Sequence, residues 1–140
     1  MGLRRKSREI ALQFLFAHDF QHNSCSRDAV AAELEKFRAS FDAGKKALPY
    51  ARTLIFGICD HLEDIDDLLS AHSHNWRLER MSLVDRNVLR IAVYEIQYID
   101  DVPAQVAINE ALEVARHFSI SDSVSFVNGI LDAVNKASAR

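Results

Sequence analysis

Four basic side chains occupy the first eight positions of the sequence, with no acidic residue among them: Arg4, Arg5, Lys6 and Arg8. Cations in the first turn of a helix oppose the helix dipole, at a cost of about 0.3–1 kcal/mol each when exposed. The cluster therefore requires an anion from outside, and RNA phosphate is the first candidate. A solvated basic end without a ligand is the alternative that these residues leave open.

Two residues one to two helical turns beyond the cluster could contact a base. Gln13 has an amide that donates and accepts hydrogen bonds, and Phe16 has a ring. Single-stranded RNA is commonly recognised by stacking of its bases on aromatic rings. From the residues alone, a place in the hydrophobic core remains the preferred interpretation of Phe16.

The middle of the chain contains an acidic run with Glu63, Asp66 and Asp67. The simplest interpretation of this run is a solvated helix face, and the more specific alternative is a docking surface for a basic protein. The histidine pairs His18/His22 and His72/His74 lack the further ligands that a zinc site needs, so we expect no metal and no cofactor. The sequence shows neither a glycine-rich phosphate loop nor a nucleophile with an adjacent base, and we expect no enzyme.

The composition is that of one globular domain. The chain has 140 residues, 49% of them hydrophobic, and a net charge of −3. That charge argues against a surface coated with basic residues for nonspecific nucleic-acid binding. Cys25 and Cys59 are expected to be reduced thiols of a cytoplasmic protein, and no secretory leader or membrane-spanning run is evident.

The spacing of apolar residues predicts an all-helical chain. Ser82 and Ser119 each precede an acidic residue by three positions, a capping-box pattern that predicts two helix starts. Further helices are expected over about 4–22, over about 27–41, and over one long segment from the proline at 49 to about residue 71.

Small residues predict close helix packing near the C-terminus. Gly129 lies in a helical pattern where glycine costs about 1 kcal/mol relative to alanine. We expect close packing of two helices to offset this cost. Close packing is also expected at Gly57, where fewer small residues support it. The two stripes expected to face each other are Ala107, Ala111 and Ala115, and Ser125, Gly129 and Ala133.

Charged residues also fall within apolar segments of the later helices. Arg90, Glu95 and Glu110 are examples. Because a buried charge must be paired, we expect ion pairs between helices rather than catalytic roles.

Five ordered motifs resemble the NusB family of transcription antitermination factors: RRKSREIALQFLF at the start, NW-x-L-x-R at 75–80, VDRNVLRIAVYEI at 84–96, VPAQVAINEALEVA at 102–115 and DSVSFVNGILD at 122–132. The resemblance implies six to seven helices in two packed three-helix bundles. It implies binding of the single-stranded boxA element of ribosomal RNA transcripts together with NusE, a small-subunit ribosomal protein. It also implies a place in the RNA polymerase antitermination complex.

The resemblance assigns roles to particular positions. Phe16 falls where tyrosine is common, so stacking on RNA is expected there without a hydroxyl contact. For NusE we suggest the acidic helix with Glu79 nearby. The implied RNA-binding residues are Arg4, Arg5, Lys6, Arg8, Gln13, Phe16, Arg116, Asp122, Ser123, Phe126 and Asn128, and the implied partner-binding residues are Glu63, Asp66, Asp67 and Glu79.

Three alternatives accompany this interpretation. The motifs also resemble the RNA-binding module of certain ribosomal RNA methyltransferases, but we expect no methylation because no nucleotide-cofactor domain follows. A helical protein-binding adaptor without RNA affinity is the second alternative. A homodimer that would mask the basic helix is left open.

Overall fold

The computed structural model describes residues 2–40, 45–73 and 77–138. Within these ranges the chain is helical and has no strand, which confirms the predicted fold class. The motif residues Asn75 and Trp76 lie outside the described residues. The elements are α1 (Gly2–Phe20), α2 (Arg27–Ser40), α3 (Leu48–Asp60), α4 (Leu62–His72), a 3₁₀ turn (Leu78–Arg80), α5 (Leu83–Tyr98), α6 (Ala104–Phe118) and α7 (Ser121–Ser138).

The helices form two groups of three around a continuous hydrophobic core. Helix α3 packs against α1 and α2, whereas α5, α6 and α7 pack against one another. Helix α4 lies against α5 and α7, and α1 joins the two groups by packing on α5. Fully buried side chains from both groups, including Phe14, Leu54, Leu89 and Leu131, belong to the same core. None of the described helices has the length and apolar composition needed to cross a membrane.

The long third helix predicted from the sequence is instead two helices, α3 and α4. They are separated at His61, whose backbone leaves the helical region at φ −117° and ψ 21°. The His61 ring stacks on Tyr98 of α5 with 4.2 Å between ring centroids. This break lets α3 pack on α1 while α4 packs on α5 and α7.

One of the two predicted caps is confirmed and the other is wrong. The Ser82 hydroxyl accepts a hydrogen bond from the Asp85 backbone N–H at 3.0 Å and caps α5. Ser119 instead follows the last residue of α6, and its hydroxyl donates to the Asp85 carboxylate at 2.6 Å. Ser119 therefore ties the connection between α6 and α7 to α5 rather than starting α7.

Close packing was predicted at both Gly57 and Gly129, and the structure shows it only at Gly57. A Cβ atom at Gly129 would meet nothing within 4 Å, so the predicted packing of Gly129 against α6 is wrong. A Cβ atom at Gly57 would lie 2.1 Å from Cζ of Tyr94. Helix α3 therefore needs glycine where α5 places a tyrosine ring against it.

Candidate nucleic-acid interface

The basic start of α1 is largely neutralised by carboxylates from the same chain. The Arg4 guanidinium pairs with Asp101 at 3.3 Å and lies 4.3 Å from the centre of the Tyr50 ring. Arg5 donates two hydrogen bonds to Glu110, at 2.9 and 2.8 Å. The Arg5 contact holds the pKa of Glu110 below its usual value. The cluster was expected to need an anion from outside the chain. Asp101 and Glu110 of the same chain supply part of that negative charge.

Arg8 is buried, which corrects its predicted role as a phosphate ligand. Its residue surface is 4% exposed, and its Nε atom donates to the two oxygens of Glu95 at 3.1 and 2.8 Å. Its Nη1 atom also donates to Glu110 at 3.2 Å. The Tyr50 hydroxyl donates to Glu95 as well. Burial raises the pKa of Glu95, and Arg8 opposes this shift. Arg8 therefore joins α1 to α5 and α6 and does not face solvent.

Lys6 is the cation of the cluster that is fully available at the surface. It is exposed and makes no ion pair with any residue in the described ranges. Arg4 and Arg5 remain partly exposed at their side chains, at 43% and 34%. Arg4 and Arg5 could bind a phosphate only by exchanging their carboxylate partners for it.

The exposed face of α1 continues from Lys6 through Gln13 to two aromatic rings. Phe16 is 40% exposed and Phe20 is 68% exposed, so the core interpretation of Phe16 is wrong. The two rings stack with 6.4 Å between centroids. Residues 6, 13, 16 and 20 are seven, three and four positions apart, which places them on one helix face. Phe20 was not among the predicted residues, although its spacing of four from Phe16 is a usable signal.

The RNA-binding residues predicted at Arg116 and in the motif at 122–132, here called the late motif, are only partly exposed. Asp122 and Asn128 are exposed, whereas Phe126 packs partly against the core. Arg116 is exposed and pairs with Glu113 on the same helix. Ser123 is buried, and its hydroxyl donates to Asp85 at 2.8 Å. Ser123 therefore anchors α7 to α5, which corrects its predicted contact to RNA.

The basic cluster and the late motif lie at opposite ends of α6. Arg4 pairs with Asp101 just before α6, whereas Ser123 follows the end of that helix. A helix of 15 residues is about 22 Å long. Near the end of α1, Asp19 bonds Arg86 at 3.1 Å, next to the Asp85 that holds Ser123. The aromatic end of α1 thus lies on the side of the late motif, and the basic start does not.

Three of the four carboxylates predicted to bind a partner are exposed. Glu63 and Asp67 on α4 are exposed, and Glu79 lies exposed on the 3₁₀ turn that contacts α4. Asp66 instead accepts two hydrogen bonds from Arg90, both at 2.8 Å. This pair corrects the predicted partner-binding role of Asp66 and confirms the predicted internal pairing of Arg90.

Comparison with known proteins agrees with this arrangement of helices. Residues 5–136 match the model of the NusB family. The chain belongs to the NusB family. It is 46% identical to the transcription antitermination protein NusB of Desulfosudis oleivorans, with 97% of this chain and 87% of that protein covered. It is 47% identical to the NusB of Desulfotalea psychrophila, with 96% of each chain covered.

Solved structures of NusB have the same fold. The structure of T. maritima NusB aligns with a TM-score of 0.81 at 42% identity, covering 98% of this chain and 93% of that chain. A solved structure of the antitermination factors NusB and NusE with double-stranded RNA aligns with a TM-score of 0.79 at 24% identity, covering 98% of each chain. Transcription antitermination is therefore the functional class of this NusB family member.

Proposed function

We propose that the protein binds boxA-type single-stranded RNA of ribosomal RNA transcripts together with NusE, as a non-catalytic antitermination factor. The observation that carries the proposal is the exposed face of α1, on which the exposed side chains of Lys6, Phe16 and Phe20 lie in line with half-buried Gln13. Cations at one end and stacked rings at the other match the two needs of single-strand recognition, phosphate neutralisation and base stacking.

Each part of this face has a separate task. Lys6, Arg4 and Arg5 neutralise phosphates and set the position of the strand. The rings of Phe16 and Phe20 stack on unpaired bases, and the Gln13 amide bonds a base edge. Beyond the end of α1, the exposed side chains of Asp122, Asn128 and Arg116 extend the surface.

NusE is the protein partner in this proposal. The antitermination factors NusB and NusE have been solved in one complex with double-stranded RNA, and that complex supports testing the same partners here. The exposed carboxylates Glu63, Asp67 and Glu79 would attract a basic ribosomal protein. Two proteins that bind RNA better together than apart show a coupling free energy between their sites. The pair would act within the RNA polymerase antitermination complex.

Filter binding of a boxA RNA, with and without NusE, tests the proposal. We expect binding by the wild-type protein, tighter binding when NusE is present, and weaker binding by Lys6→Ala. Arg38→Ala is the matched control because it also removes one exposed cation, on α2. A helical adaptor would show neither RNA affinity nor an increase with NusE, and this result would refute the proposal.

Self-association bears directly on the exposed face of α1. A homodimer formed through this face would cover Phe16 and Phe20 and compete with RNA. Light scattering over a range of protein concentrations, repeated with boxA RNA, measures this competition. We propose that RNA shifts any dimer towards monomer, and a dimer that binds RNA without dissociating would show that another face mediates it.

A further inference from the structure

Three side chains that can ligate a metal converge near the C-terminal end of α1. They are His18 on α1, Cys25 in the connection to α2, and Cys59 on α3. The His18 ring nitrogen and the two sulfur atoms all lie within 4.8 Å of one another. No metal site was predicted, because His18 and Cys59 are far apart in sequence.

The separation of His18 and Cys25 fits a tetrahedral zinc ion, and Cys59 lies within 4.8 Å of both. Zinc binds cysteine sulfur at about 2.3 Å and histidine nitrogen at about 2.0–2.1 Å, which places such atoms about 3.5 Å apart around a tetrahedral ion. The Nε2 atom of His18 and the Sγ atom of Cys25 are 3.4 Å apart. Two sulfurs and one imidazole favour zinc over magnesium or calcium, which prefer oxygen ligands.

The second nitrogen of His18 already has the partner that a metal-bound histidine normally has. Its Nδ1 atom lies 2.7 Å from the Glu33 carboxylate on α2. A carboxylate in this position fixes the ring orientation and the tautomer, so that Nε2 is free to bind the metal.

The cluster has room for a fourth ligand. A cavity of about 80 Å³ is lined by His18, Cys25 and Cys59 together with His22 and Asn23. This volume exceeds the roughly 10–15 Å³ that one water molecule needs. A water molecule or the His22 side chain can therefore complete a four-coordinate site from the cavity.

We propose that His18, Cys25 and Cys59 bind one zinc ion, with Glu33 orienting His18 and the fourth ligand supplied from the cavity. A disulfide between the two cysteines is the competing use of the same sulfurs. Disulfides are rare in reducing compartments. The zinc ion would link α1, α3 and the connection to α2 close to the exposed rings of Phe16 and Phe20.

Titration of untagged, reduced, metal-free protein with cobalt(II) tests the site. We expect one cobalt ion per chain, absorption bands of tetrahedral thiolate coordination, and displacement of cobalt by zinc. Cys25→Ser and Cys59→Ser should each weaken binding at least tenfold. Glu33→Gln should weaken it by about 10–100-fold while leaving all three ligands in place. His117→Ala is the control because His117 is exposed on α6.

Thermal unfolding with and without zinc separates metal binding from a purely structural role. Zinc should raise the Tm of the wild-type protein and of His117→Ala, but not that of Cys25→Ser. Cys25 is half-buried in a connection, so this variant should retain the fold. Absence of thiolate bands in the reduced wild-type protein would overturn the proposal. Equal cobalt affinity of Cys25→Ser and wild type would overturn it as well.

Discussion

A buried arginine near the start of α1 contributes more to the stability of the fold than the exposed cation beside it. Arg8 lies between Glu95 and Glu110, whereas Lys6 two positions earlier is exposed. Charged side chains that are two positions apart thus differ in burial because they face different directions from the helix. Substitution of the whole cluster would mix loss of binding with loss of folding.

Arg8→Ala should reduce the free energy of unfolding by about 3–5 kcal/mol because it leaves the buried Glu95 without its guanidinium partner. Urea unfolding measures this loss. Lys6→Ala, which removes an exposed cation from the same helix, should unfold at the wild-type urea concentration. An Arg8→Ala protein of unchanged stability that no longer binds RNA would show that Arg8 contacts the ligand.

Glu110 should make stability depend on pH in the acid range. Its pKa in the folded protein is lowered by the hydrogen bonds from Arg5, relative to an ordinary value of 4.5. Its stabilising contribution is therefore present above pH 4.5 and lost as the pH falls through the folded pKa. The difference in unfolding free energy between wild type and Glu110→Gln should shrink as the pH falls from 6 to 3. A difference that stays constant over this range would contradict the assignment.

Phe16→Ala should weaken RNA binding by about 1–3 kcal/mol, the usual contribution of one base stacked on an aromatic ring. Tyr98→Ala is the matched control because Tyr98 is 39% exposed, against 40% for Phe16, and its ring stacks on His61. Fluorescence titration of labelled RNA measures both affinities. Equal losses in the two variants would mean that stacking on Phe16 does not contribute.

At the scale of the helices, the hydrophobic pattern predicts most of the elements, and long-range contacts decide the exceptions. Ser82 caps α5 by accepting a hydrogen bond from the backbone N–H of Asp85. Because Asp85 is only three residues later, a local sequence pattern can predict this cap. The break at His61 has no glycine or proline beside it, and the His61 ring stacks on Tyr98 of another helix. Ser119 matches a capping pattern, yet its hydroxyl bonds Asp85 on α5. A local sequence pattern cannot predict contacts of this kind, because the two partners are far apart in the chain.

Alanine substitutions at the two helical glycines should have opposite signs. Gly57→Ala should destabilise the fold by about 1–3 kcal/mol because the new methyl group would overlap the Tyr94 ring. Gly129→Ala should stabilise it by about 0.5–1 kcal/mol because alanine is the better helix former and the site is open. Thermal unfolding of both variants measures the contrast. Destabilisation by Gly129→Ala would indicate a close contact there.

At the scale of the whole molecule, the proposed RNA surface is elongated rather than a single pocket. The cations begin α1, the aromatic rings end it, and Asp122 follows at the far end of α6. The sequence singles out Lys6, which is exposed, but not Phe20, whose ring is also exposed. It could not assign Arg8, whose acidic partners Glu95 and Glu110 come from distant helices.

The salt dependence of boxA RNA binding tests the central claim most directly. For single-stranded RNA, the slope of log affinity against log salt is about −0.7 for each phosphate neutralised. Contacts from Arg4, Arg5 and Lys6, without Arg8, predict a slope of about −2 for the wild-type protein and about −1.4 for Lys6→Ala. A slope that is flat, or that is the same in both proteins, would contradict the account.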